Sequence, residues 1–330
     1  MRGKSGTDLS SSLYGRPSGT RYSVKGRSGE EVQGRSSLEG TDRSNADPNV
    51  CCVIVNWNGW RDTLDCLASL REQEYGHLQI LVVDNGSTDD SVARIRSAFP
   101  EAGLIETGKN IGFPSGCNVG LRAALAGSAE FVWLLNNDTV CPPDTLRKLV
   151  RGTTASPEAG LVGTVLFYAH DPTKVQAWGG GRIVPWIAYT THFHAPTEFG
   201  KNCYTTFASV LARRAMLEEV GLLYEGFFMY CDDSDLCLRM QKTRWKIVMA
   251  EDTAVLHKEG ASTNVSEKPF MTKVVTVSCL RLIRRSSKFA FIGMPVYVLL
   301  RLGNRVVRRE WKGFRAVCAG VMEFLREPMP

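Results

Sequence analysis

The chain has 330 residues, 43% hydrophobic and 22% charged, which suits an ordinary globular protein with a large core and excludes a fibre or a wholly unfolded chain. Its ten cysteines include no C-x-x-C pair, and residues 1–30 show no apolar signal-like run, so reduced thiols and a cytoplasmic setting are expected. The net charge of +6 is concentrated: residues 268–330 hold thirteen Lys and Arg against three Glu, leaving the remainder at −4, which points the C-terminal region toward an anionic surface.

Residues 1–48 are rich in Ser, Gly and Arg with hardly a large apolar side chain, and a disordered lead is expected. Order is predicted from Val50. Residues 50–55 read as a buried strand stopped by Asn56-Trp57-Asn58-Gly59, after which Trp60, Leu64, Leu67 and Leu70 fall at helical spacing. A second strand over 78–83 closes on Asp84-Asn85-Gly86-Ser87-Thr88-Asp89, and Val92, Ile95 and Phe99 mark the next helix. Two βα units in succession predict an α/β protein with a doubly wound, mostly parallel sheet. The first turn has no G-x-G-x-x-G, which argues against a dinucleotide-binding dehydrogenase. Asp84, at a strand end, is suited to accept hydrogen bonds from a base N–H or a ribose hydroxyl, while Ser87, Thr88 and Asp89 serve equally as helix caps.

Gly108, Gly112, Gly116 and Gly120 with Pro114 form a loop expected to open into a helix through Leu121 and Leu125. Such a loop lets backbone amides approach a ligand at a helix N-terminus. The apolar run 131–135 reads as a strand buried on both faces, and it stops at Asn136-Asn137-Asp138. A carboxylate beyond a strand's carboxyl end sits where a hard cation or a phosphate-bearing ligand is held; the alternative is a turn, since Pro142-Pro143 follow.

Further along, 161–167 and 205–212 read as strands and 178–182 as a loop. The aromatic and His-bearing stretch 186–193 is either packing or a platform for a ligand to stack on. Arg213 and Arg214 begin a helix stopped by Gly221, on a solvated face rather than at a phosphate. Asp232, Asp233 and Asp235 start a helix continued by Leu236 and Met240. One such carboxylate caps free amides, but an adjacent pair after a bulky aromatic run fits a partly desolvated general base. A strand over 245–250 leads to His257, a structural residue or a ligand. The twelve uncharged residues 289–300, flanked by arginines and too short to span a bilayer, predict either an interfacial segment on anionic lipid or a basic helical subdomain packed on the rest.

In this order the motifs Val83-Asp84-Asn85-Gly86-Ser87-Thr88-Asp89, Asn110-Ile111-Gly112-Phe113 with Asn118-Val119-Gly120, Leu134-Leu135-Asn136-Asn137-Asp138 and Asp232-Asp233-Ser234-Asp235-Leu236 resemble the inverting glycosyltransferases of family 2, with the GT-A fold, and within them the rhamnosyltransferase-like branch. The resemblance covers roughly residues 50–265 and implies a catalytic domain at 49–267, with 268–330 a basic helical, membrane-associating extension. It implies a nucleotide-sugar donor held by Asn56, Asp84, Asn85, Asn110, Gly112, Phe113, Asn118 and Asn137. It further implies a divalent cation, Mg or Mn, at Asp138 with His257, and Asp233 as general base beside Asp232, which replaces the family's usual Glu. Asn136 stands where many members carry the first Asp of Asp-x-Asp. Gln241-Lys242-Thr243-Arg244-Trp245 spells the Gln-x-x-Arg-Trp motif of processive synthases but directly continues the base's helix, so it is set aside.

The expected activity is sugar transfer, tilted by the resemblance toward dTDP-rhamnose, onto a glycan or lipid-linked acceptor for cell-surface polysaccharide, at the cytoplasmic face of a membrane. A nucleic-acid partner is not expected, since it leaves Asp84, Asp138 and Asp233 without a purpose. A sugar-nucleotide pyrophosphorylase calls for a Gly-rich signature with Arg and Lys where this chain has Asn56-Trp57-Asn58-Gly59. A silent nucleotide-sugar-binding homologue stays open at this level, to be separated by turnover.

Overall fold

The computed structural model describes residues 47–258 and 268–327; all but the last two residues of the expected lead, and the stretch 259–267, lie outside the described residues. In chain order the elements begin with β1 (Val50–Asn56), α1 (Trp60–Arg71), β2 (Leu78–Asp84), α2 (Ser91–Ala98), β3 (Gly103–Glu106), α3 (Phe113–Ala126) and β4 (Phe131–Asn136). The short β5 (Thr139–Val140), α4 (Thr145–Ala155), β6 (Ala159–Tyr168), β7 (Asp171–Trp178), β8 (Gly180–Val184) and β9 (Tyr189–His192) follow. After β10 (Cys203–Thr205) and β11 (Ser209–Arg213) come α5 (Arg214–Val220), α6 (Asp232–Met240), β12 (Lys246–His257), α7 (Lys268–Ser286), α8 (Ala290–Val307) and α9 (Trp311–Leu325).

Nine strands form one mixed sheet in the order β3-β2-β1-β4-β11-β6-β12-β5, with β7 paired to β6. The run β3-β2-β1-β4 is parallel, β11 is antiparallel to both neighbours, and β6 and β12 are again parallel. A smaller antiparallel sheet takes β10-β8-β9. The central strands are apolar at every position because both faces are covered. In β1, Cys51 and Val53 join the core under α3 and α6, whereas Val50, Cys52 and Ile54 join the core under α1, α2 and α4. Strand periodicity thus distributes one apolar run between two cores, as in a doubly wound sheet. Cys51, Cys52 and Cys66 are buried as small hydrophobes.

Three local expectations change. Helix α3 begins at Phe113, inside the glycine-rich stretch, because Gly112 takes φ +88° and sends the chain straight into the helix. Residues 178–182 are strand ends and not a loop: a Cβ at Gly180 or Gly181 would collide with the Tyr204 or Thr191 carbonyl, so glycine is what lets three backbones approach. The expected strand 205–212 is split, β10 joining the small sheet and β11 the large one.

The C-terminal helices are not one independent body. Helix α7 buries Leu280, Leu282 and Ile283 in the core, and Ser278 Oγ donates to the Met229 carbonyl at 2.7 Å. Helix α9 packs on α7 through Val317 and Phe324. Helix α8 runs 18 residues, beyond the uncharged run of twelve, and is long and apolar enough by length and composition to cross a membrane. Gly293 and Tyr297 are buried on it, while Phe291, Ile292, Leu299, Leu300 and Val307 are exposed.

Candidate active site

Where β4 ends, the chain turns at Asn137-Asp138 into β5, which pairs with the far end of β12 so that His257 lies opposite Thr139. That register brings Asp138 Oδ1 within 3.1 Å of His257 Nε2. His257 Nδ1 meets Gln176 Oε1 at 2.9 Å and Nε2 meets the Asn136 amide nitrogen at 3.4 Å. With Nδ1 as the donor, the Nε2 lone pair lies beside the Asp138 carboxylate, where the Asn136 amide or a cation can meet it. Lys258 pins the strand end: its N–H donates to the Asp138 carbonyl at 3.0 Å and its Nζ reaches Asp62 and Asp65 on α1.

Helix α6 starts abruptly. Tyr230 and Cys231 both have φ of +68°, left-handed conformations that cost a non-glycine residue energy and that cluster at functional sites. They aim Asp232 and Asp233 from the helix N-terminus into a cavity of about 760 Å³. Asp232 is buried; desolvation, then the neighbouring Asp233 charge, raise its pKa to about 8. Burial also raises Asp233, but hydrogen bonds from Ser234 and the charge of His192 work against the shift. The two carboxyls share one buried, like-charged site, so the pair holds a proton above the ordinary carboxylate range. The third carboxylate is structural: Asp235, 3% exposed, pairs with Arg239 at 2.8 Å and with Arg285 of α7 at 3.0 Å.

The same cavity is lined by Asn85, Asn110, Phe113, Asn137, Asp138, His257, Asp232 and Asp233. Asn56, Asp84, Gly112 and Asn118, expected at the donor, do not line it. Asp84 is 2% exposed and its carboxylate is taken up by Asn56 Nδ2 at 2.8 Å, Ser87 Oγ at 2.6 Å and Ser87 N–H at 2.9 Å. Asn56 also accepts from Thr63 at 2.8 Å, so this buried polar chain shapes the turns that carry Trp57 and Asn85. Asn118 clamps the backbone of Leu223 in both directions, at 2.8 and 3.0 Å. A Cβ at Gly112 would meet the Phe228 carbonyl oxygen at 2.6 Å, and the Phe113 N–H donates to that same oxygen. Gly112 and Asn118 thereby tie the glycine-rich segment to the chain that delivers the two aspartates. Asn85 bonds Asn110 at 3.2 Å and the Gly112 carbonyl at 3.1 Å, bracing the loop from the cavity side.

Arg213 is spent on the Ala159 and Thr153 carbonyls, and Arg214 on carbonyls at the end of α3. Gln241 bonds the Cys203 carbonyl and the Asn202 N–H, so the Gln-x-x-Arg-Trp sequence braces β10. Gln176, Tyr204 and Cys279 also line the cavity; nothing local in the sequence marks them, because distant strands and α7 bring them in. Thr190, His192 and His194 line it too, and their spacing of two is a signal that strand periodicity reveals.

Among the described residues no group of three or more His, Cys, Asp or Glu is arranged to hold a metal. Asp138 and His257, a carboxylate and an imidazole 3.1 Å apart, are donors of the kind that would hold a divalent cation.

Comparison with known proteins gives a consistent picture. Residues 51–221, slightly over half of the chain, match the family described as Glycosyl transferase family 2. The chain is 27% identical over 223 residues to the N-acetylglucosaminyl-diphospho-decaprenol L-rhamnosyltransferase of Mycobacterium tuberculosis, covering 60% of this chain and 72% of that protein. Among solved structures it is similar to a mannosyltransferase of Pyrobaculum calidifontis in complex with GDP-Man and Mn2+, with a TM-score of 0.53 and 18% identity over 86% of this chain and 89% of that one. It is also similar to residues 1–349 of TarS from S. aureus, with a TM-score of 0.50 and 13% identity over 82% and 90% of the two chains. At these identities the structural likeness speaks for the fold.

Proposed function

The chain belongs to glycosyl transferase family 2, and from that premise we propose that this glycosyltransferase moves rhamnose from a nucleoside-diphosphate donor to a lipid-linked glycan, inverting the anomeric carbon. The observation that carries the reading is one cavity holding the Asp138–His257 pair together with Asp232 and Asp233 at a helix N-terminus. The activity for which the mycobacterial relative is named supports both the sugar and the polyprenyl-linked acceptor.

Asp233 accepts the proton of the acceptor hydroxyl as that oxygen attacks the anomeric carbon. Asp232, protonated at neutral pH, limits the pair to one negative charge, so the base is not opposed by its neighbour. Asn85, Asn110, Phe113 and Asn137 line the donor end, and Asp84 with Asn56 holds the turns that present them; Gly112 and Asn118 keep the donor loop in register with the base. Asp138 and His257 would hold the divalent cation, with Gln176 orienting the imidazole through Nδ1. That cation, Mg or Mn, when bound offsets the charge developing on the leaving diphosphate; the Mn2+ of the Pyrobaculum enzyme supports the assignment.

The enzyme rests on the cytoplasmic face of a membrane through α8 and α9. Exposed Phe291, Ile292, Leu299, Leu300, Val306, Val307 and Trp311 supply apolar contact, and Arg308, Arg309, Lys312 and Arg315 supply charge for anionic lipid. Ile292, Leu299 and Val306 recur every seven residues on one face, while Gly293 and Tyr297 are buried against protein, a division that favours lying on the surface over crossing it. The test is transfer by purified protein from a panel of nucleotide sugars to a short-chain polyprenyl-diphospho-N-acetylglucosamine. Inverted product from dTDP-rhamnose is expected, and product only from another donor would sink the sugar assignment.

A further inference from the structure

The proposed mechanism leaves one cavity wall unused. Strand β9 and the residues after it place Thr190, His192 and His194 at alternate positions, and all three line the cavity that holds Asp233. Alternation on an extended chain puts such residues on one face, and the pairing continues past β9, the Phe193 N–H donating to Gly180 and the Phe193 carbonyl accepting from Trp178. His192 Nδ1 lies 3.3 Å from the Tyr204 hydroxyl of β10, which leaves Nε2 without a protein partner among the described residues. The His192 and His194 side chains are exposed, so neither is needed to fill a core.

Two features say what this face meets. The first is the base: the acceptor hydroxyl must reach Asp233, while Trp57, Asn85, Asn110 and Phe113, from the ends of β1 and β2 and the start of α3, occupy the donor end. The second is the hairpin's seat. Ile183 and Ala188 pack in one core with Leu282, Ile283 and Tyr297 of α7 and α8, and Gly293 of α8 abuts the Trp186 carbonyl so closely that no Cβ fits. The turn of the hairpin therefore rests on the helix assigned to the lipid surface, and its β9 face reaches the catalytic cavity.

We propose that the β8–β9 hairpin is the acceptor-recognition element, with Thr190, His192 and His194 hydrogen-bonding the hydroxyls and diphosphate of a polyprenyl-linked glycan as it rises from the membrane to Asp233. This deepens the acceptor reading above and rests on it. The hairpin is thus a specificity determinant placed between the lipid surface and the base.

The experiment is steady-state kinetics of the full chain with short-chain polyprenyl-diphospho-N-acetylglucosamine as acceptor probe, comparing wild type with the His192→Ala/His194→Ala double variant. Because both side chains are exposed, the melting temperature stays the same. Loss of two hydrogen bonds to a charged or hydroxylated ligand raises the acceptor KM at least tenfold, with donor KM unchanged. An unmoved acceptor KM, or a donor KM rising in step with it, overturns the hairpin assignment alone. Wild-type protein that transfers nothing to the probe from any donor overturns the acceptor reading and this inference together.

Discussion

Replacing Asp232 with Asn isolates the energetic cost of a buried carboxylate. Burial and the Asp233 charge lift its pKa from the ordinary 3.8 to about 8, so the folded protein binds a proton that the unfolded chain releases near pH 4. Between those two values the native state holds more protons than the unfolded state, and stability falls as pH rises. A rise of that size corresponds to roughly 5 kcal/mol lost by pH 8. Asparagine is close in shape and cannot ionise. Asp232→Asn should therefore melt well above wild type at pH 8, by roughly 10 °C at about 2 °C per kcal/mol in a domain of this size. The gap should shrink steadily toward pH 4 and close only below it, where Asp232 is neutral in both states. Thermal melts of the two proteins across pH 4 to 8 measure the difference, which includes the change that the substitution makes to the coupled Asp233. Parallel melting curves at every pH would refute the claim that Asp232 is buried and protonated.

Three further outcomes are expected. Asp233→Asn should lower kcat at least a hundredfold with donor affinity nearly unchanged, since an amide keeps the shape but accepts no proton; a variant above a tenth of wild-type turnover would reassign the base. Asp138→Ala should weaken nucleoside-diphosphate binding measured by calorimetry with Mg or Mn and leave binding in chelator unaffected; equal loss in both conditions would make Asp138 a turn residue. Phe291→Ser with Leu299→Ser should release the protein from anionic vesicles at a lower salt concentration than wild type, each change removing about 2 kcal/mol of apolar burial while the arginines remain. Unchanged sedimentation with vesicles would reject α8 as the contact. Point substitutions serve here because deletion from residue 268 would strip α7 from the core and from Asp235.

What the sequence displayed best were the features written in local patterns. The apolar runs of β1, β2 and β4 and the helical spacing after the first two announced a sheet covered on both faces, and the polar residues ending the strands marked the side on which the cavity opens. The aspartates opening α6 were legible because three carboxylates within four residues exceed what capping requires. Long-range geometry was not legible. That Asp84 is consumed by Asn56 and Ser87, and that Asn118 holds Leu223, depends on turns whose packing no spacing encodes. Glycines misled in one place, since Gly180 and Gly181 signal a loop in isolation but serve close strand contact in the small sheet. The orienting Gln176 carried no signal at all, because it reaches His257 only through the β7–β6–β12 alignment.

The placement of β12 also has a consequence in time. This strand lies between β6 and β5, and its last residue supplies the imidazole beside Asp138, although the two residues are more than a hundred positions apart in the chain. During vectorial synthesis the glycine-rich loop, the Asp138 turn and the paired aspartates all leave the ribosome before residue 257. A nascent chain can therefore fold its leading βα units, whose contacts are comparatively local, without yet possessing an Asp138–His257 pair. Chain order alone therefore makes the Asp138–His257 pair one that only the last strand of the sheet completes.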